Sequence, residues 1–325
     1  GNDTLDGGTG NDRLIGDDRL RIAGVRLENG AGARALQIDG LIWDLDAAGG
    51  NDTLLGGDGD DVLIGDHELA LAAAVIDSSA IATVSVALNE LADHIGLGAG
   101  ADVLDGGAGN DVLVGDHVAS IAAVYDTRIA VGSPTGVLTL QVTQLVDRLE
   151  LKAAVDDLRG GAGDDLLIGD SQSITSAATV AGVQLTGTRL IDNLDIRAEK
   201  DKLRGGNDND TLVGDNDTTL IGSASGLARL VEALAVQAGT DDLNGELGSN
   251  VIEQGNRAST PTGLAKSVSI ASRGTGTPSA PSIDWNGRLA DGGAKPSAAS
   301  WLESFVNRLA RTPADDPNSR IKIKL

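Results

Sequence analysis

The sequence predicts a mostly β chain: a stacked solenoid of β-roll-like repeats with strand-rich excursions between them, plus a short C-terminal helix. Three observations carry that expectation. Asp recurs in pairs at a spacing of nine, as Asp3/Asp12, Asp52/Asp61, Asp102/Asp111, Asp156/Asp165 and Asp201/Asp210, and Asp241 is followed by Asn250 at the same spacing. Two residues after each member stands an aliphatic, from Leu5/Leu14 to Leu243/Ile252. Between the members lies a glycine cluster such as Gly56-Gly57-Asp58-Gly59.

The repeating unit is G-G-x-G-x-D-x-L-x. Its x-L-x portion reads as a short strand with Leu inward and both neighbours outward. The register extends upstream through Leu45, Ile95, Leu149, Leu194 and Leu234, and four residues earlier through Leu41, Leu91, Leu145, Leu190 and Leu230. From that earlier Leu to Asp66, Asp116, Asp170, Asp215 or Gly255 is always 25 positions, whereas the spacers between blocks run 24, 25, 29, 20 and 15. A constant core with elastic spacers implies a stack whose insertions leave from one side. Ile121–Val131 and Val137–Val142 read as strand–turn–strand, and the L-x-x-x-L pieces as one or two helical turns.

Composition sets the outer limits. The chain has 325 residues, 48 acidic against 25 basic, a formal net charge of −23, five aromatics and neither Cys nor Met. Disulfides and Cys-ligated metals are excluded. So negative a chain is expected to bind no nucleic acid, because phosphate contacts need Lys and Arg. No apolar run is long enough for a transmembrane helix. Charge also divides the chain. Residues 1–255 hold 43 acidic and 15 basic side chains; residues 256–325 hold five and ten, with six of the seven prolines. An acidic, Gly-rich body repels itself, so it is either disordered or neutralised by a cation.

The nonapeptide resembles the RTX (hemolysin-type) calcium-binding repeat, which implies a β-roll with several Ca²⁺ ions. The chemistry suits that implication. Glycines tolerate positive φ and turn the backbone tightly, presenting carbonyl oxygens inward, and Asp adds a carboxylate. Ca²⁺ takes six to eight such oxygens, more than one turn supplies but within reach of two stacked turns. The candidate ligands are Asp3, Gly8, Gly10 and Asp12; Asp52, Gly57, Gly59 and Asp61; Asp102, Gly107, Gly109 and Asp111; Asp156, Gly161, Gly163 and Asp165; Asp201, Asp208 and Asp210; and Asp241. Asp208 stands where the third Gly is expected, and Glu246, Asn250 and Gly255 weaken the sixth block, which reads as a cap. Asp17, Asp66, Asp116, Asp170 and Asp215 fill the second-Gly slot of a third, aborted nonapeptide. Two readings stay open for all five: calcium ligands, or turn residues and caps for the departing segment. Stacked blocks would hold on the order of five to ten ions.

No catalytic constellation stands out, and no enzymatic activity is expected. There is neither a G-x-S-x-G elbow nor an H-E-x-x-H helix. His67 and His117 occupy a repeat position that Asp18, Ser171 and Asn216 fill elsewhere, so they read as turn residues.

Three segments are expected: a repeat solenoid over 1–255 with six cores of about 25 residues, a flexible linker over 256–296, and a C-terminal helix and strand over 297–325. Ser300 and Glu303 form a capping box before Trp301, Leu302, Phe305, Val306 and Leu309. Such a tail after RTX-like repeats is similar to an uncleaved signal for type I secretion machinery. Gly1-Asn2-Asp3 begins inside a repeat, so the sequence reads as a piece of a longer protein. The function expected is a calcium-binding repeat region of a secreted bacterial protein that folds on Ca²⁺ outside the cell, placing it in the extracellular space or on the cell surface. Two alternatives stand beside it. One is a calcium-stabilised adhesin or surface module whose excursions bind a cell-surface or polysaccharide ligand. The other is the foldase-like tail of a secreted enzyme.

Overall fold

The computed structural model describes residues 1–27, 34–76, 83–126, 136–177, 182–222, 226–259 and 264–271. Within them, 26 strands build four sheets in which each strand pairs in parallel with its counterpart one coil later. The x-L-x segments form the first two sheets. Thr4–Thr9, Thr53–Asp58, Val103–Ala108, Asp157–Ala162, Lys202–Asn207 and Asp242–Asn244 make the first. Arg13–Ile15, Val62–Ile64, Val112–Val114, Leu166–Ile168, Thr211–Val213 and Val251–Glu253 make the second. Between these sheets Leu14, Leu54, Leu63, Leu104, Leu113, Leu158, Leu167, Leu203 and Leu212 stack into a ladder, each Leu turned inward as the period of two requires.

The spacers are the far half of every coil rather than excursions from it. The third sheet takes Arg19–Leu27, Glu68–Ile76, Val118–Asp126, Gln172–Ala177, Asp217–Gly222 and Arg257–Ser259. The fourth is built on Arg34–Ala48, Val84–Gly98, Val146–Leu151, Ile191–Ile196, Val231–Val236 and Ala265–Ile270, with Leu138–Val142 and Val183–Gly187 joining its first half. Together they enclose a second, wider aliphatic core that includes Leu71, Leu88, Ile95, Ile121, Leu149 and Leu194. Parallel strands demand cover on their faces, and Ala, Val, Ile and Leu in the spacers supply it. The part of Ile121–Val131 that is described, to Asp126, and Leu138–Val142 are strands, but they lie in different sheets and pair only with other coils; residues 127–135, with the expected turn, lie outside the described residues.

The L-x-x-x-L pieces are not helical, and no helix occurs among the described residues. At each of these leucines two successive N–H groups donate to one carbonyl: Leu91 and Ala92 to Leu145, Leu145 and Val146 to Leu190, Leu190 and Ile191 to Leu230. The step adds no residue to either strand, since Leu138 and Val146 pair with Val84 and Ala92 at one and the same offset. Spacing of four fits one helical turn and two strand periods alike, which is why the residues alone misled.

Regular stacking continues past Gly255, since Arg257–Ser259 and Ala265–Ile270 pair with the coil before them inside the stretch expected as a linker. The helix and strand expected over 297–325 lie outside the described residues.

Position 208 adopts φ +78° although it is Asp, where Gly10, Gly59, Gly109 and Gly163 hold +116° to +136°. Asp208→Gly should therefore raise stability by about 1 kcal/mol. Leu113→Ala, which opens a void in a ladder with no side chain able to collapse into it, should lower stability by about 3–5 kcal/mol. Urea unfolding in excess Ca²⁺ measures both.

Candidate metal centre

Stacking coils in register places like residues above one another, and for Asp this is an electrostatic problem. The first Asp of each pair forms one row. Asp3, Asp52, Asp102, Asp156 and Asp201 each donate their backbone N–H to the Oδ1 of the row member one coil later, at 2.6, 2.6, 2.7, 2.8 and 3.1 Å. The second Asp forms another, from Asp12 through Asp61, Asp111 and Asp165 to Asp210, at 2.7, 2.8, 2.8 and 3.1 Å. One carboxylate oxygen is thus fixed by the neighbouring coil. The other, Oδ2, is buried without a hydrogen-bond partner at Asp52, Asp102, Asp156 and Asp201 and at Asp12, Asp61, Asp111, Asp165 and Asp210.

What those oxygens face is set by glycine. A Cβ on Gly56 would overlap both Asp61 Oδ2 and the Gly106 carbonyl oxygen, and Gly106, Gly160 and Gly205 repeat the arrangement with Asp111, Asp165 and Asp210. Carboxylate and carbonyl oxygens therefore converge on a space that only a missing side chain leaves open. This donor set, hard oxygens from two adjacent coils, fits Ca²⁺. The sixth block supplies the contrast. Asn250 takes the row position, accepts from Asp210 N–H at 2.7 Å, and turns its amide Nδ2 to donate to the Gly245 carbonyl. With an amide in place of the carboxylate, the protein satisfies itself, which suits the end of a row.

Burial drives the carboxyls away from ionisation. Loss of hydration pushes Asp111 up to about 6, Asp102 and Asp165 to about 7, Asp201 to about 8 and Asp66 to about 10, with neighbouring Asp residues adding to each. Asp116, Asp156 and Asp170 are raised well above the usual range for the same two reasons. An uncompensated row of buried charges must be protonated, neutralised by a cation, or unfolded.

The candidates fall into distinct places. Gly8, Gly10, Gly57, Gly59, Gly107, Gly109, Gly161 and Gly163 hold φ between +87° and +136° and shape the turns. The glycine that meets each carboxylate is the first of the Gly-Gly pair, one residue earlier than expected. Asp208 is exposed on its turn. Asp66, Asp116 and Asp170 are fully buried.

The histidines are more than turn residues. His67 and His117 are fully buried and stack at 5.3 Å between ring centroids, 12° from parallel. His117 Nε2 lies 3.1 Å from the Lys152 carbonyl, and in the same register Asn216 Nδ2 donates to the Arg197 carbonyl at 3.4 Å. This column ties the turn leaving the second sheet to the turn entering the first, at a polar waist between the two cores. Burial pushes His67 down and His117 to about 3, so both rings are neutral. Interchange of His, Ser and Asn at one register was the available signal, since all three carry side-chain hydrogen-bonding groups. On the outer face of the fourth sheet, His94 Nδ1 lies 2.7 Å from Asp44 Oδ1 and 4.0 Å from Asp46 Oδ1. Asp44 and His94 are 50 residues apart, one coil, so a search for short-range motifs passes over them.

Rows of buried carboxylates stacked coil on coil, each joined by a glycine carbonyl, define a cation-binding repeat protein. Residues 1–18, 44–66, 90–116, 147–173 and 198–221 match the family model of the RTX calcium-binding nonapeptide repeat, and the chain carries that repeat. RTX nonapeptides bind Ca²⁺, and repeats in this number imply several ions. The family is calcium-binding and structural in character and typifies secreted bacterial proteins. No curated protein and no solved structure matched the chain.

The raised carboxyl values fix the sign of a pH effect. A group whose folded value lies above its unfolded one favours the fold below the unfolded value and loses that contribution as pH rises through the folded one. For these carboxyls the loss runs from about pH 6 for Asp111 to about 10 for Asp66. The calcium-free chain, stripped on a chelating resin, should therefore gain β-sheet ellipticity on acidification from about pH 9 to about pH 5. Excess Ca²⁺ should flatten or reverse that dependence.

Proposed function

We propose that this chain is a calcium-dependent folding region of a secreted bacterial protein, unfolded before export and folded outside the cell. One observation carries the reading: in both nonapeptide Asp rows, one oxygen of each buried carboxylate is held by the adjacent coil and the other has no partner in the protein. Folding without a cation buries those charges uncompensated, so binding free energy becomes folding free energy. Cytosolic Ca²⁺ is scarce, and extracellular Ca²⁺, about millimolar, matches the affinity of extracellular modules. An acidic body of 43 carboxylates against 15 basic groups over 1–255 then stays extended by self-repulsion and can thread a type I export channel. The three-segment division, with 297–325 as the export signal, belongs to the same proposal.

The test is far-UV circular dichroism in EGTA, then titrated with Ca²⁺ and, separately, with Mg²⁺. A coil-like spectrum that becomes β-rich with Ca²⁺ and not with Mg²⁺ is expected, because Mg²⁺ demands a tighter octahedral cage and sheds water reluctantly. A β-rich spectrum already present in EGTA at neutral pH would show that the Leu ladder and the wide core suffice, and would remove the basis of the export switch.

A further inference from the structure

The third nonapeptide of each block is not aborted; it is completed across the inserted half-coil. In an intact turn, the first glycine faces the Oδ2 of the Asp five residues on, as Gly106 faces Asp111. The same relation recurs between Gly65 and Asp102, Gly115 and Asp156, and Gly169 and Asp201, where the third and fourth sheets intervene. At each of these glycines a Cβ would also overlap the carbonyl oxygen of the equivalent glycine one coil later: Gly115, Gly169 and Gly214. The Asp that follows the glycine makes the splice. Gly100 N–H donates to Asp66 Oδ1 at 3.0 Å, Ala154 N–H to Asp116 Oδ1 at 3.1 Å, and Glu199 N–H to Asp170 Oδ1 at 3.0 Å, across 34, 38 and 29 residues. Each donor stands two residues before a first-row Asp.

The spliced turn differs from the intact one in charge. Along the intact turns each coil adds one buried carboxylate to the row, such as Asp111 or Asp165. Along the spliced turns each coil adds two, such as Asp116 with Asp156 or Asp170 with Asp201, all buried, with Oδ2 unpartnered at all four. As two anions buried at one turn, the members of each pair repel.

We propose that the spliced turns form a second row of Ca²⁺ sites, distinct in kind from the intact row, and that this row fills first and locks the wide half of each coil to the Leu ladder. The inference rests on the calcium-dependent folding reading above. One divalent ion per coil is balanced by two carboxylates in the spliced row but by one in the intact row, so the spliced sites are electroneutral. Their burial at the waist also makes escape of an ion depend on local opening of the coil.

The test is Ca²⁺ binding to the full chain, by calorimetric titration and by release rate on mixing with a fluorescent chelator. Asp116→Asn/Asp170→Asn is compared with Asp111→Asn/Asp165→Asn. Asn keeps the Oδ1 acceptor and removes the charge. Wild type should show two classes of ions, one tight and slowly released. The Asp116/Asp170 variant should lose ions from the tight class, with release of those that remain faster by about tenfold or more, and should be more β-rich than wild type without Ca²⁺, because it no longer buries those charges. The Asp111/Asp165 variant should keep the tight class and lose ions from the weaker one. Wild-type stoichiometry and release in the Asp116/Asp170 variant would overturn the second row, and so would a variant unfolded with and without Ca²⁺, which would make these residues structural caps. Failure of wild type to bind Ca²⁺ at all would instead overturn the calcium-dependent reading on which the row rests.

Discussion

Everything in this fold follows from stacking one carboxylate directly upon another. Parallel pairing in register leaves each Asp no choice of neighbour but the same Asp one coil away, and the backbone N–H of that neighbour stabilises only one of its two oxygens. The remaining oxygen is buried against a glycine, beside a carbonyl. Such a column is intolerable in a dry protein and favourable around a divalent cation. On the calcium-dependent reading proposed above, that difference alone would couple the fold to the ion, without a hinge or a lid.

The two cores play unequal parts. The Leu ladder is narrow, one side chain per strand, and explains the near absence of aromatics. The wider core, between the third and fourth sheets, holds most of the buried aliphatic residues. Between them runs the polar waist, where His117, stacked on His67, and Asn216 bridge turns that are distant in sequence. A purely apolar waist would leave those turn carbonyls unsatisfied, at a cost of several kcal/mol for each.

Much of this was legible in the residues because the repeat is strict where the physics is strict. Asp spacing, inward Leu and positive-φ glycines each admit a single reading, and the Asp rows and first two sheets follow from them. The spacers resisted for a different reason. Ala, Val, Ile and Leu satisfy a strand, a helix or an insertion alike, and only pairing with the next coil shows that they close the solenoid. Leu91 and Ile95, four apart, suggested a helical face, yet two strand periods give the same spacing. The completed third turn was hidden because its two halves, such as Gly115-Asp116 and Ala154 to Asp156, are joined only in space.

Coil length varies through 49, 50, 54, 45 and 40 residues, yet the Asp rows and the first two sheets stay in register. The surplus falls in the wide half: third-sheet strands run nine residues in Val118–Asp126 and six in Gln172–Ala177. The wide half therefore changes length from coil to coil without shifting a carboxylate from its column. Foreign peptides inserted in that half, one per coil, would be spaced by the parallel stack and would leave the carboxylate columns in place.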